Sequence, residues 1–278
     1  MFLFVQACVL AHPVRSDVGP PPPELGGRDV SFPSQSGSTV HAWLIPGTPR
    51  AGAVLLLHGM GDDRRSMLGR ARFLHRLGFT VLAPDFQAEG ESPGKHITFG
   101  ALESLDARAA LDFLRDQAPG ERVGVIGVSM GGAATLLGPQ PLSADALVLE
   151  SVYPTFRAAV EHRLRVWLGP IGFLGELAAP MLIRTVGPQI GVDGKRMRPV
   201  DAIVRLHRPV LVIAGSRDRY TPPAETRALF ARAAGPKELW EVLGAGHEDL
   251  HGFTPAEYER RVGEFLTEHL RDAPALPR

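Results

Sequence analysis

The apolar residues of this chain are concentrated in short runs, and longer segments of mixed polarity separate one run from the next. At residues 53–57 every position is apolar, which is typical of a parallel strand that is buried on both faces. Similar runs recur along the chain, so the sequence predicts a sheet of eight strands, mostly parallel. The predicted strands are 30–32, 39–45, 53–57, 79–83, 123–128, 146–149, 210–214 and 238–243.

The segments between most of these runs have the spacing of amphipathic helices. In one of them, apolar residues recur at intervals of three and four positions and form a single stripe, which consists of Leu102, Leu105, Ala109 and Phe113. Thr98 precedes this stripe as a capping residue, and Pro119 followed by Gly120 ends it. Strands that alternate with helices predict an α/β fold, a mostly parallel sheet flanked by helices.

The alternation breaks between the strands predicted at 146–149 and 210–214, where no run typical of a strand occurs. This stretch carries many large apolar residues and repeated Gly and Pro, so we interpret residues 152–205 as a helical cap inserted after the sixth strand. An extra layer of helix over the core is the alternative. The predicted organisation is an apolar tail and Pro-rich linker over 1–27, then one domain over 28–278 that contains the cap.

Length and composition agree with one large globular domain. The chain has 278 residues, of which 44% are hydrophobic and 22% are charged, so a single core can accommodate it. Thirty Lys and Arg balance thirty Asp and Glu, and therefore no excess of positive charge indicates a nucleic-acid partner. Cys8 is the only cysteine in the sequence, which excludes an intramolecular disulfide and a cysteine-based zinc site.

The N-terminal end leaves the location of the protein open. Residues 2–11 are apolar except for Gln6, and such a run is too short to span a bilayer. We interpret it either as a loosely packed tail or as the end of an export signal or membrane anchor that starts upstream of Met1. The prolines at 20–23 predict a stiff, extended spacer. A cytoplasmic location is the default expectation, and anchoring or export is the alternative.

A nucleophile motif lies directly after one of the predicted strands. Gly127-Val128-Ser129-Met130-Gly131 matches G-x-S-x-G, and a segment of helical composition follows it. In that context the serine occupies a sharp strand-to-helix turn, which lifts its hydroxyl above the sheet and close to the amides of the helix N-terminus. We therefore predict that Ser129 is a catalytic nucleophile.

With this motif, the chain resembles the α/β-hydrolase superfamily of serine hydrolases, and most of all its lysophospholipase-like or serine-aminopeptidase-like branch. The resemblance extends from about Arg28 to Leu270. Its order and spacing fit the family, and it rests on five stretches: His58-Gly59-Met60-Gly61, residues 85–92, the turn at Ser129, Gly215-Ser216-Arg217-Asp218 and Gly244-Ala245-Gly246-His247.

A serine nucleophile needs a histidine base that a carboxylate holds in place. In the family that histidine lies in the loop after the last strand, which implies His247. Asp218, after the strand at 210–214, gives the expected order of serine, acid and histidine. Glu150 at the end of the preceding strand is the alternative acid, and His251, interpreted as an exposed loop histidine, is the rival base.

The resemblance also implies an oxyanion hole, which needs two hydrogen-bond donors that are already in place. These donors are expected to be the backbone N–H groups of Met60 and Met130. His58 is expected to brace the loop of Met60 by hydrogen bonding rather than to take part in the reaction. The resemblance implies neither a metal ion nor an organic cofactor.

The predicted function is hydrolysis of a carboxylic ester through an acyl-enzyme intermediate. The apolar cap favours a hydrophobic acyl group, and its excess of arginine favours an acidic head group or a membrane surface, so a lipid or lysophospholipid ester is the expected substrate. Membrane contact would be made through the N-terminal tail or the cap. An amide or thioester hydrolase with the same residues is one alternative, and a non-catalytic binding protein of the same fold is another.

A zinc enzyme is a remote alternative. His247-Glu248-Asp249-Leu250-His251 matches the H-E-x-x-H motif of zinc hydrolases. That chemistry requires both histidines on one face of a helix. Glycines at 244, 246 and 252 argue against a helix here.

Overall fold

The computed structural model describes residues 11–271, and within them a large sheet forms the centre of the molecule. The strands are β1 (Val14–Arg15), β2 (Arg28–Pro33), β3 (Thr39–Ile45), β4 (Ala53–Leu57), β5 (Thr80–Pro84), β6 (Glu89–Gly90), β7 (Val123–Val128), β8 (Ala146–Glu150), β9 (Val210–Gly215) and β10 (Lys237–Val242). Eight of them form the sheet, in the order β10-β9-β8-β7-β4-β5-β3-β2, and β1 pairs separately with β6.

Six strands of the sheet run parallel to one another: β4, β5, β7, β8, β9 and β10. Strand β3 runs antiparallel to its neighbours β2 and β5. The predicted α/β fold is therefore confirmed. Each predicted strand of the large sheet agrees with an observed strand to within two residues at both ends. The short β1–β6 pair was not predicted, because two-residue strands leave no recognisable pattern in a sequence.

Helices cover both faces of the sheet. They are α1 (Leu68–Arg76), α2 (Glu103–Gln117), α3 (Met130–Leu136), α4 (Phe156–Leu168), α5 (Gly172–Val186), α6 (Pro199–Ala202), α7 (Pro223–Arg232), α8 (Leu250–Phe253) and α9 (Pro255–Leu270). Side chains of β4 alternate between the two layers of core: Leu55 and Leu57 pack towards α2 and α3, and Val54 and Leu56 pack towards α1 and α9. Burial on both faces explains why such strands are apolar throughout.

The segment that precedes β2 is packed on the domain rather than extended from it. From residue 11 onwards, the predicted tail and spacer contact the sheet: β1 pairs with β6, and the indole N–H of Trp43 donates to the carbonyl of Gly19 at 2.8 Å. Leu25 is buried. The stretch predicted as a stiff, extended spacer at 20–23 therefore lies against the domain, where the apolar side chain of Leu25 beside the prolines is buried. The tail interpretation of residues 2–10 lies outside the described residues.

A helical insertion joins β8 to β9 and consists of α4, α5, α6 and short turns. The chain reverses at Gly169, whose φ is +54°, so that α4 and α5 lie side by side as an antiparallel hairpin. Gly175 of α5 lies against Leu164 of α4 at a point where even a Cβ would be too large. We call α4, α5 and their connection the cap hairpin.

The cap hairpin exposes a row of large apolar side chains, which we call the cap apolar face: Trp167, Ile171, Phe173, Leu174, Leu177 and Met181. Leu177 is 75% exposed and Met181 is 62% exposed. By length and composition alone, Phe156–Thr185 could cross a membrane. Because the segment turns back on itself at Gly169, this is weak evidence for a membrane span.

Candidate active site

Ser129 lies in the turn between β7 and α3 and has strained backbone angles, with φ +49° and ψ −108°. Such a positive φ is uncommon for a residue with a side chain. Two neighbours allow the turn: the amide of Ser129 donates to the carbonyl of Glu150 at 2.7 Å, and Gly131 approaches Leu57 so closely that a Cβ would lie 2.3 Å from its oxygen. The sharp turn therefore aims the Ser129 hydroxyl away from the sheet.

The structure brings Ser129, His247 and Asp218 into one hydrogen-bonded series. Nε2 of His247 lies 3.2 Å from Oγ of Ser129, and Nδ1 lies 2.8 Å from Oδ2 of Asp218. The side chain of Asp218 is fully buried, and its other oxygen accepts from the amides of Tyr220 and Thr221, each at 2.8 Å. These amides stabilise an ionised carboxylate and fix its direction, so the carboxylate holds His247 with Nε2 towards the serine.

The amides expected to form an oxyanion hole lie beside Ser129. Met130 is the first residue of α3, and Met60 belongs to the loop that follows β4. Within residues 11–271 neither amide is used in a hydrogen bond. His58 is completely buried and braces the loop as predicted: Nε2 accepts from the amide of Phe86 at 3.0 Å, which leaves Nδ1 to donate to the carbonyl of Gly59 at 2.7 Å.

Glu89 supports the same loop from below. Its Oε1 accepts a hydrogen bond from the amide of Gly61, the residue after Met60. Glu89 is buried, and burial together with the charge of Glu103 raises its pKa well above the usual value. A neutral carboxyl group therefore fits this position, and its carbonyl oxygen is the acceptor that holds the loop.

Glu150, the alternative acid, is used elsewhere. Arg70 donates to both carboxylate oxygens, at 3.1 and 2.6 Å, and the hydroxyl of Tyr258 also donates to Glu150. Glu150 is thus the centre of a buried network that ties α1 to α9. The hydrogen bond to His247 is made by Asp218.

The zinc interpretation of residues 247–251 is contradicted by the local geometry. His247 lies in a loop before α8, and His251 lies within α8, so no single helix carries both. His251 is buried, stacks on Phe73 and contacts Oε1 of Glu259 through Nε2 at 3.1 Å. The exposed position expected for His251 is therefore wrong. Among residues 11–271, no three His, Cys, Asp or Glu side chains are grouped to bind a metal ion.

The Ser129 hydroxyl faces a cavity of about 340 Å³ between the sheet and the cap hairpin. Its walls are mixed in polarity and consist of Gly59, Met60, Asp62, Ser66, Met67, Arg70, Val128, Ser129, Ser151, Arg163, Trp167, Tyr220, His247, Glu248 and Asp249. Three larger clefts, of about 490, 630 and 780 Å³, lie away from Ser129. The active-site cavity is therefore identified by its chemistry and not by its size.

Among the lining residues that sequence analysis did not single out are Arg163 and Ser151. Arg163 was visible only as one of several basic residues in the predicted cap. Ser151 carried no motif, although its position directly after β8 places it at the carboxyl end of a parallel strand, where ligand sites of such sheets occur. The packing of α4 over the sheet brings the two into the cavity.

Comparison with known proteins agrees with this architecture. The model of the alpha/beta hydrolase family matches residues 54–261. An uncharacterized protein of Mycobacterium tuberculosis is 31% identical over 249 residues, which cover 87% of this chain and 80% of the relative. The alpha/beta hydrolase domain-containing protein WAV2 of Arabidopsis thaliana is 29% identical over 216 residues, which cover 74% of this chain and 67% of the relative.

Among solved structures, the esterase Pf2001 of Pyrococcus furiosus superposes with a TM-score of 0.76 at 25% identity, over 94% of this chain and 98% of the esterase. The fold, the strand-to-helix serine turn and these matches together define the class: the chain belongs to the alpha/beta hydrolase family. The family and the esterase neighbours support a hydrolase.

Proposed function

We propose that this protein is a serine hydrolase that cleaves carboxylic esters. The observation that carries the proposal is the continuous series from Ser129 through His247 to the buried Asp218, which opens into a cavity. A non-catalytic binding protein of this fold would have no need of a strained serine in hydrogen-bond contact with a histidine.

The reaction follows from the direction of each hydrogen bond. Nε2 of His247 takes the hydroxyl proton as Oγ of Ser129 forms a bond to the carbonyl carbon of the ester. The carbonyl oxygen becomes an oxyanion, and the amides of Met60 and Met130 donate to it. The C–O bond then breaks, and the alcohol leaves with the proton from His247.

Water completes the cycle by the same route. His247 accepts a proton from the water molecule as its oxygen attacks the acyl carbon on Ser129. The acid is released, and the proton returns to Ser129. Asp218 stays ionised throughout and stabilises the imidazolium that forms in both steps, because it receives the Nδ1 proton in a hydrogen bond.

Kinetics on p-nitrophenyl esters test this proposal. We expect Ser129→Ala to lower kcat by roughly 10⁴–10⁶. Ser143→Ala is the matched control, because Ser143 is exposed and lies outside the cavity. A loss of less than about tenfold in Ser129→Ala, with the control unchanged, would contradict the assignment of the nucleophile.

Amide and thioester hydrolysis use the same series of groups. The esterase neighbours favour an ester. Matched butyryl compounds with an oxygen, sulfur or nitrogen leaving group distinguish the three: we expect the highest kcat/KM for the oxygen ester, and a higher value for the amide would favour the alternative.

We further propose an acyl group of lipid type as the substrate, in keeping with a lysophospholipase-like enzyme. Trp167 supports this, because it lines the cavity and also belongs to the cap apolar face. A chain too long for the cavity can therefore continue along exposed apolar side chains. Rates on p-nitrophenyl acetate, butyrate and octanoate test it, and a strong preference for acetate would contradict it.

A further inference from the structure

Arg163 is a buried cation that forms no ion pair with any residue between 11 and 271. It is 7% exposed, lies on α4 and lines the cavity that contains Ser129. Within residues 11–271 its guanidinium makes one hydrogen bond, to the carbonyl of Ala159 at 3.2 Å, and lies over the ring of Tyr220 at 5.9 Å; no carboxylate pairs with it. A buried charge in this situation is costly to the folded state, and burial lowers its pKa.

Asp218 is a carboxylate whose charge acts on Arg163, but its oxygens already accept hydrogen bonds from other groups. Both of its oxygens accept hydrogen bonds, from His247 and from two backbone amides. Asp218 therefore does not serve as the hydrogen-bonded ion-pair partner of Arg163. A guanidinium has several N–H donors in one plane, and most of those of Arg163 are left without an acceptor from the protein.

Ser151 is a polar residue of this cavity whose hydroxyl has no hydrogen-bond partner within residues 11–271. Its residue is 4% exposed, and its Oγ is buried without a hydrogen bond. The backbone at Ser151 has a φ of +50°, where glycine would avoid strain. The amide of Ser151 donates to the carbonyl of Ile213 and its own carbonyl accepts from the hydroxyl of Thr221, so the backbone at Ser151 is held in place.

Arg163 and Ser151 line the same cavity, and an anionic group bound between them would accept hydrogen bonds from both. We propose that Arg163 and Ser151 form a subsite for an oxyanion of the substrate, either a carboxylate or a phosphate. A guanidinium donates two parallel hydrogen bonds to either anion, and a serine hydroxyl adds a third donor. The inference rests on the proposed ester hydrolysis and narrows its substrate class to esters that carry a negative charge.

The contacts of Tyr220 indicate where the subsite lies relative to the catalytic base His247. The ring of Tyr220 contacts both Arg163, whose Cζ lies 5.9 Å from the ring centroid, and His247, whose ring centroid lies 5.3 Å from that of Tyr220. Arg163 therefore lies near the catalytic base, and an anion paired with it would lie there as well. A charge close to the scissile bond fits this spacing, whereas a charge at the far end of a long acyl chain does not.

Two pairs of esters distinguish the sources of the anion. The first pair is monobutyrin and 1-butyryl-glycerol 3-phosphate, which places a phosphate on the alcohol side. The second pair is p-nitrophenyl butyrate and mono-p-nitrophenyl glutarate, which places a carboxylate on the acyl side. In one pair or the other, we expect kcat/KM of the anionic ester to exceed that of its neutral partner by at least about tenfold.

Variants of α4 test whether Arg163 causes this preference. We expect Arg163→Gln to reduce the ratio of anionic to neutral kcat/KM by about 10–100-fold, and Arg163→Lys to reduce it less because the charge remains. Arg165→Gln is the matched control: Arg165 is on the same helix, exposed, and paired with Glu176 at 3.2 Å. An equal change of the ratio in both Gln variants would overturn the proposal.

A measurement on the wild-type protein does not depend on how the variants fold. Glycerol 3-phosphate or glutarate should inhibit hydrolysis of the neutral ester competitively, and glycerol should not. If the wild-type protein hydrolyses neutral esters but neither prefers nor binds an anion, the subsite is disproved and the proposed function stands. If it hydrolyses no ester of either pair, with Ser129→Ala identical to wild type, the proposed function fails.

Discussion

At the scale of single residues, the candidate site depends on how each polar side chain is fixed by a second one. Asp218 receives two backbone amides and holds His247, and Glu89 receives the amide of Gly61. Both carboxyl groups are buried, yet their surroundings differ. Asp218 accepts hydrogen bonds from three N–H groups, whereas Glu89 accepts one, and burial together with neighbouring acids raises the pKa of Glu89.

The first prediction concerns Asp218. Replacement by Asn keeps the shape of the side chain, but the N–H₂ group that takes the place of Oδ2 cannot accept a hydrogen bond from the Nδ1–H of His247. The ring is then held in the wrong tautomer. We expect Asp218→Asn to lower kcat by about 10³–10⁴ with a small change in KM. Glu150→Gln is the comparison: it should lower the thermal midpoint of unfolding, and it should lower kcat less than Asp218→Asn does. A larger loss of kcat in Glu150→Gln would make Glu150 the acid.

The second prediction concerns Glu89 as a positioning residue. Gln offers the same carbonyl acceptor to Gly61 as a neutral carboxyl group does, so Glu89→Gln should keep kcat within about threefold. Glu89→Ala removes the acceptor and should lower kcat by about tenfold or more, with less effect on KM, because the oxyanion forms after substrate binding. Equal losses in the two variants would mean that Glu89 acts through its charge and not through this hydrogen bond.

Much of the candidate site could be predicted because its residues stand in local motifs. Ser129 follows a strand within G-x-S-x-G, and His247 and Asp218 follow strands of their own. The carboxyl ends of parallel strands meet at one edge of the sheet, which brings the three together. Arg163 could not be placed in this way, because it lies in the insertion, whose packing over the sheet is not encoded by any short motif.

At the scale of elements, α2 shows where sequence periodicity is insufficient. The stripe predicted to be buried is only half-buried: Leu102, Leu105, Ala109 and Phe113. The fully buried face lies beside it and includes two acids, Glu103 and Asp106. The hydrogen-bond partners of these acids could not be foreseen from the sequence, because Gln87 and Ser36 lie outside the helix.

Asp106 gives a prediction for the pH dependence of stability. Burial raises the pKa of Asp106 to about 6, and hydrogen bonds from Ser36 and Gln87 oppose this shift only in part. The folded protein therefore binds this proton more tightly than the unfolded chain does. The resulting stability is fully present below the unfolded pKa, near pH 4, and is lost as pH rises through about 6.

The measurement is the free energy of unfolding of wild type and Asp106→Asn as a function of pH. Relative to the variant, we expect the wild-type protein to lose about 2–3 kcal/mol between pH 4 and pH 7. Asp112→Asn on the same helix is the control, because Asp112 is exposed. Parallel pH profiles for wild type and Asp106→Asn would show that Asp106 does not carry the effect.

At the scale of the whole molecule, the sheet positions Ser129, Asp218 and His247, and the insertion forms one wall of the cavity beside them. The sheet could be predicted nearly residue by residue, because burial on both faces leaves an unambiguous pattern. The helical composition of the insertion was visible as well. The exposure of its apolar residues could not be read from the sequence: Leu177 and Met181 face outwards, although large apolar side chains are usually buried.

This exposure supports the proposal that the cap hairpin contacts a lipid surface. Its apolar face is continuous with the cavity through Trp167, and the basic side chain of Arg184 is exposed on α5. Exposed contiguous apolar patches of this kind are typical of interaction sites. Burial of Leu177 and Met181 in the interface would stabilise the bound state by about 1.5–3 kcal/mol per side chain.

Vesicle binding tests the cap apolar face. We expect the protein to co-sediment with vesicles of phosphatidylcholine and phosphatidylglycerol, and Leu177→Glu with Met181→Glu to reduce the partition coefficient at least about tenfold. Val204→Glu, which changes an exposed apolar residue outside the cap hairpin, is the control. Wild-type protein that stays in the supernatant at every lipid concentration would contradict the lipid surface.

The central claim is that Ser129 is an activated nucleophile, and covalent labelling tests it most directly. A fluorophosphonate probe reacts with a serine only where a base takes its proton. We predict stoichiometric labelling of the wild-type protein that is unaffected by a metal chelator, maps to the peptide containing Ser129, and is absent from folded Ser129→Ala. Folded wild-type protein that takes no probe, or labelling that persists in Ser129→Ala, would contradict the account.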